Sequence, residues 1–325
     1  MGTLAAKLGG HYWTLVPHLR SRLRPTKLPA GEPVQFLTQD ADLGALSLTG
    51  EMHVKPGADD LVVVVHGLGG GLASDYTRRA AAAALREGFS CLRLAMRGAD
   101  RRGDDFYHAG LGEDIDAVLR SKALARYERR FLIGYSLGGH VSLQAARHGH
   151  ANAVAALCAP LDLHLAADHF DSPAMIPYRG HVLSGLKEMV RAIRLRRRPY
   201  PLHFGNFEAI HSLREWDRKI VAPRFGFADE NAYYDAVAMG ARIGELTVPS
   251  LIVNTRHDPM VSDGSVNASL IGAASLPNCT VVRLERGGHV GFHPESSLSD
   301  HGVGERGPSI ESEVMRWFTA SRRSK

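Results

Sequence analysis

The feature that most constrains this chain is a short run, Leu61-Val-Val-Val-Val65, closed on one side by Asp59-Asp60 and on the other by His66-Gly67. Five aliphatic residues without polar alternation fit a strand covered on both faces, and such strands belong to parallel sheets sandwiched between helices. The same form recurs at 89–95, 130–135, 153–158, 250–254 and 280–284, with helical stretches at 74–86, 110–124, 138–148 and 309–319. Strand and helix alternate, which predicts an α/β fold: a mostly parallel central sheet with helices on both faces. The interval 162–243 breaks the pattern. It is rich in His, Arg, Pro and aromatic residues and lacks β-branched runs, so it reads as a helical cap inserted between two core strands. The core is then 58–161 and 244–325. Residues 1–57 form a lead-in, whose weak alternation at 34–38 and 43–53 fits antiparallel strands at the sheet edge.

Several function classes fall away. No stretch approaches the roughly 20 apolar residues of a membrane span. The first 27 residues carry Lys7, His11, Arg20, Arg22 and Arg24, so nothing there resembles a secretory signal and a cytoplasmic location is expected. Cys91, Cys158 and Cys279 lie far apart without a CxxC pair, which argues against a disulfide framework or a zinc site. The net charge is +5, and Arg191 to Arg198 holds five arginines and no acid, so the excess equals one local patch. A single patch without interleaved aromatics is not a nucleic-acid footprint, and no nucleic-acid partner is expected. Such runs are usually solvated helix faces; the other reading is weak contact with an anionic membrane surface.

Gly134-Tyr-Ser136-Leu-Gly138 matches GxSxG, a weak string in a chain with 34 glycines. Its context is stronger: it follows a strand and opens a helix, the strand, tight turn and helix of a nucleophile elbow. A serine hydroxyl needs a base, and among seventeen histidines His289 follows the last core strand in Arg286-Gly-Gly-His289, with His293 and His301 as neighbours. The imidazole needs a carboxylate. Asp258 follows the strand at 250–254, whereas Asp162, at the insertion boundary, is the alternative with a structural role. For the oxyanion, His66-Gly-Leu-Gly-Gly-Gly71 follows the strand at 61–65, and the backbone N–H groups of Leu68 and Leu137 are the expected donors. A phosphate cradle is the rival for such a loop, but no Lys-Ser/Thr follows it.

Together with Gly9-Gly-His-Tyr-Trp-Thr-Leu-Val-Pro17, Arg97-Gly98, Tyr107-His-Ala-Gly110, Pro160-Leu-Asp-Leu163, Ala222-Pro-Arg-Phe-Gly-Phe227 and Tyr233-Tyr234, these strings resemble the YheT-like branch of the α/β-hydrolase superfamily. The resemblance runs over nearly the whole chain, with Trp13 in place of the usual Gln. It implies an α/β-hydrolase fold and carboxylic ester hydrolysis with Ser136, Asp258 and His289 as the triad. No metal or organic cofactor is needed for that chemistry. The expected substrate is a small-molecule or lipid-like ester whose apolar acyl group, of short to medium length, lies under the cap. Acyl transfer to an alcohol by the same triad, and a catalytically silent fold used for binding, are the alternatives.

Overall fold

In the computed structural model, which describes residues 2–322 with the side chains at 2, 3 and 22 excepted, eight strands form one sheet in the order β1-β2-β4-β3-β5-β6-β7-β8. These are β1 (Glu32–Asp40), β2 (Gly44–His53), β3 (Asp60–Val65), β4 (Ser90–Leu94), β5 (Arg129–Tyr135), β6 (Ala153–Leu157), β7 (Ser250–Thr255) and β8 (Cys279–Leu284). β1 and β2 pair antiparallel, β2 joins β4 antiparallel, and β4 to β8 run parallel. The order reverses around β3, so the crevice beyond the carboxyl ends of β3 and β5 is the natural binding edge. Every residue of Leu61 to Val65 is fully buried, and each such side chain contributes about 1.5–3 kcal/mol.

The helices are α1 (Gly2–Leu23), α2 (Asp75–Arg86), α3 (Gly112–Leu119), α4 (Leu137–Ala146), α5 (Leu163–Asp171), α6 (Ile176–Leu195), α7 (Leu213–Trp216), α8 (Ala222–Arg224), α9 (Glu230–Val237), α10 (Asp263–Ala274) and α11 (Ile310–Ser321). The small side chains Ala80, Ala81, Ala83 and Ala84 are fully buried and let α2 lie close to β3 and β4. No helix among the described residues is long and apolar enough to cross a membrane.

Between β6 and β7 the chain forms α5 to α9, packed through buried Phe170, Met175, Leu186, Phe207 and Trp216. Asp162 caps α5 by accepting the Leu165 N–H at 3.0 Å, so this carboxylate is held as a helix cap. A buried ion network ties this layer to the sheet. Arg97, after β4, bonds Asp40, Asp105 and Asp114, while Arg224 on α8 reaches Asp40, Asp42 and Asp105. The arginine run at the end of α6 is largely answered within the molecule. Arg191 makes a two-pronged pair with Glu208 at 2.7 Å, and Arg196 and Arg198 meet Asp104 at 3.5 and 3.0 Å.

One element was not foreshadowed by periodicity. α1 is a continuous helix seated on the loops after β7 and β8. A Cβ at Gly10 would collide with the His257 carbonyl, one at Gly288 with the Gly10 carbonyl and one at Gly291 with the Trp13 carbonyl. Glycine at these positions is therefore the condition for α1 to reach the sheet's edge.

Candidate active site

The end of β5 and the start of α4 are joined by a single residue, Ser136, at φ 53° and ψ −127°. A side chain on Gly134 or Gly138 would strike neighbouring backbone, and one on Gly67 would sit 3.0 Å from Ser136 Cβ, so small residues permit the turn. Three of the five non-glycine residues with positive φ among those described, Ser136, Cys158 (52°) and Val290 (51°), gather here. Backbone strain of this kind costs of order 1–3 kcal/mol each and persists only where the surroundings impose it.

His289 stands on the loop after β8, 6% exposed, and its Nδ1 lies 2.8 Å from Asp258 Oδ2. A carboxylate only accepts, so Nδ1 carries the proton and Nε2 is left as the accepting nitrogen. Asp258 is fixed in turn: its Oδ1 accepts the N–H groups of Met260 and Val261 at 2.8 and 2.9 Å. From the far side of the chain Thr14 Oγ1 on α1 accepts the His289 N–H at 2.8 Å. Of the competitors, His293 lies beside Arg286 and Glu295 near the surface, and His301 is exposed in a short surface turn.

The Gly-rich loop after β3 is pinned amide by amide. Tyr76 Oη accepts the Gly67 N–H at 3.0 Å, Tyr107 Oη accepts that of Gly69 at 2.7 Å, and the Gly67 carbonyl accepts that of Gly70 at 3.1 Å. His66 clamps its base: Nε2 accepts the Met96 N–H at 3.0 Å and Nδ1–H donates to the Gly67 carbonyl at 2.8 Å. Full burial lowers His66 to about 4, against that bond, so the ring stays neutral. Among the described residues the amides of Leu68 and Leu137 have no partner of their own, and both residues border the cavity above Ser136. Two unengaged N–H groups beside a serine suit a developing oxyanion.

That cavity has a volume of about 780 Å³ and is lined by Ser136, His289, Thr14 and Pro17 of α1 and a largely apolar wall from the cap. Phe170, Tyr178, Trp216, Tyr233 and Tyr234 face it; Phe204 and Phe207 pack inside the cap, and Ile176 is exposed. Among the described residues one group has donor atoms close enough for a metal ion: Cys158, Asp258 and His289, within 4.8 Å of one another. Burial pushes the Cys158 thiol well up, followed by the nearby Asp258 charge, and Asp258 and His289 already bond each other. The trio reads as a hydrogen-bonded acid and base backed by a neutral thiol. Sequence reasoning brought Ser136, Asp258, His289, Leu68 and Leu137 to one place but assigned nothing to Thr14, Tyr76, Tyr107 or Asp217. For Thr14 a signal existed: Gly10 and Thr14, one helical turn apart, form one face of α1.

Residues 4–298 match the model of the alpha/beta hydrolase family. The chain is 27% identical over 279 residues to the "Putative esterase YheT" of Escherichia coli, covering 79% of this chain and 76% of that one. It is 25% identical over 263 residues to the "Medium-chain fatty acid ethyl ester synthase/esterase 2" of Saccharomyces cerevisiae, which it covers over 58% of its length and which covers 71% of this chain. Among solved structures the Pyrococcus furiosus esterase Pf2001 superposes with a TM-score of 0.54 at 16% identity, covering 89% of this chain and 93% of the esterase, a likeness of fold.

Proposed function

Since the chain belongs to the alpha/beta hydrolase family, we propose that it hydrolyses carboxylic esters with Ser136 as nucleophile, His289 as base and Asp258 as its partner. The observation that carries this is Ser136 in its left-handed elbow, sharing one cavity with His289 and with two unengaged amides. In the proposed cycle Ser136 Oγ attacks the ester carbonyl while its proton passes to His289 Nε2, and the carbonyl oxygen becomes an oxyanion held by the Leu68 and Leu137 N–H groups. The C–O bond to the alcohol then breaks, and the imidazolium returns its proton to the leaving alkoxide. Water repeats the sequence on the acyl-enzyme and frees the acid. The apolar cap wall suits a short to medium acyl chain, each sequestered methylene adding about 0.8 kcal/mol. Acyl transfer would use the same residues with an alcohol in place of water, and the yeast relative's name gives both directions.

The test is turnover of nitrophenyl esters from acetyl to octanoyl by wild type and Ser136→Ala, with fluorophosphonate labelling alongside. Specificity should climb with chain length, and Ser136→Ala should lose roughly 10³-fold or more and all labelling. Near-normal turnover by a folded Ser136→Ala protein refutes the nucleophile, and a flat length profile refutes the role of the cap.

A further inference from the structure

The cavity wall holds a carboxyl that the triad does not use. Asp217 begins a π-helical turn, Asp217–Val221, interposed between α7 and α8, and such turns occur often at functional sites. It is 7% exposed yet lines the same cavity as Ser136 and His289. Tyr234 Oη donates to Asp217 Oδ2 at 2.7 Å, and Tyr234 is itself 2% exposed. Asp217 Oδ1 has no donor among the described residues, and it is not sealed off from the cavity. No cation forms an ion pair with it among the described residues, and Arg214 acts on it only at a distance. The charged groups around it are Glu230 on α9, Asp171 at the end of α5 and Arg214 on α7, and Arg214 Nε is committed to Asp168 at 2.5 Å.

A buried carboxyl that lines the cavity, with one oxygen seated and the other without a donor, lacks a partner that a ligand can supply. Building on the ester-hydrolase reading above, we propose that Asp217, seated by Tyr234, is a specificity-determining anchor for a hydroxyl group on the substrate, so that the preferred class is hydroxyl-bearing esters. A hydroxyl donates to a carboxylate and accepts from a carboxylic acid, so it fits both protonation states; an ammonium fits only the ionised one. Burial pushes Asp217 up to about 7, the Tyr234 bond and then the Arg214 charge lowering it while the Asp171 and Glu230 charges raise it, so both states occur near neutral pH. An alkyl group of the same length would leave Oδ1 unanswered, a penalty that sites built for a hydroxyl impose on analogues lacking it.

The experiment compares kcat/KM for matched esters: glyceryl against propyl octanoate for the alcohol side, and ethyl 8-hydroxyoctanoate against ethyl octanoate for the acyl side. Wild type should favour the hydroxyl member of one pair by roughly tenfold or more, and the ratio should rise from pH 6 to pH 8.5 as the carboxyl ionises and the bond becomes charge-assisted. Because a ratio is read, titration of His289 cancels. Asp217→Leu should bring the ratio near one while plain esters are still cleaved. Asp217→Asn, which keeps the Tyr234 bond and so safeguards folding, should flatten the pH dependence of the ratio. A wild type that cleaves both members of each pair equally, or an Asp217→Asn enzyme with the wild-type ratio and pH dependence, overturns this proposal alone. A wild type that cleaves none of the four overturns the ester-hydrolase reading together with it.

Discussion

Two acidic sites are buried at the junction of cap and core, and they resolve the cost of burial in opposite ways. In the cluster around Arg97 and Arg224, burial would push Asp40 up, but the Arg224 guanidinium, the Leu43 amide and Arg97 outweigh it and hold the carboxyl at about 2. Asp217 is the same residue type set more deeply, where the Tyr234 bond and the more distant Arg214 charge do not outweigh desolvation and the group reaches about 7. Depth and partners together set the charge state. Where the fold needs a carboxylate as a fastener it surrounds it with guanidinium; where a carboxyl is left half-answered, it borders the cavity above Ser136.

The largest test breaks the fastened site. Arg97→Leu strands Asp114 without its cation and leaves Asp105 with Arg224 alone, and urea unfolding should show a loss of about 3–5 kcal/mol. A loss under about 1 kcal/mol would mean that the network does not hold cap and core together. The second sharpens the contrast through pH. Asp40, depressed when folded, contributes stability above its unfolded value near 4 that disappears as pH falls toward 2. Asp217, raised when folded, does the reverse: between about 4 and 7 the unfolded chain releases a proton that the folded chain retains, so stability falls as pH rises. Asp217→Asn should therefore be neutral near pH 4 and gain on wild type up to about pH 7, by at most roughly 1.4 kcal/mol for each pH unit climbed. A gain independent of pH would show that Asp217 is not titrating in that window. The smallest effect belongs to the solvent-exposed pair Arg191–Glu208, where Arg191→Ala should leave the urea midpoint where it is, in low salt and in high salt alike. A clear drop in that midpoint would mean that the exposed pair, too, fastens the cap. A weak contact of this run with anionic membranes, which we keep as a proposal, then rests mainly on Arg194 and Arg197. Equal pelleting of the protein with anionic and zwitterionic vesicles would dispose of it.

What the sequence makes legible follows from how locally each feature is encoded. β3 is visible because five adjacent aliphatic residues suffice, and the elbow because strand, Gly-x-Ser-x-Gly and helix are contiguous. Asp258 and His289 are visible because each immediately follows a strand. α1 escapes because glycines, two histidines and Pro17 blur its period, and because its purpose lies in contacts with residues near 257 and 289. Asp217 escapes for the same reason: its meaning comes from Tyr234, seventeen residues on, and from a cavity that no single segment forms. The arginine run misleads in the opposite direction, since Asp104 and Glu208 are its partners only once the chain is folded.

The hydrogen bond between Thr14 and the His289 amide spans 275 residues of chain. In the order of synthesis, α1 leaves the ribosome before every surface it rests on, and its seat at Gly288 and Gly291 is among the later parts to be made. A nascent chain long enough to contain Ser136 thus already contains the bracing helix but still lacks the His289 loop that the helix braces. If Ser136 and His289 act together as proposed, the centre is complete only after a contact across 275 residues has closed, and the onset of activity becomes a clock for that late step of folding.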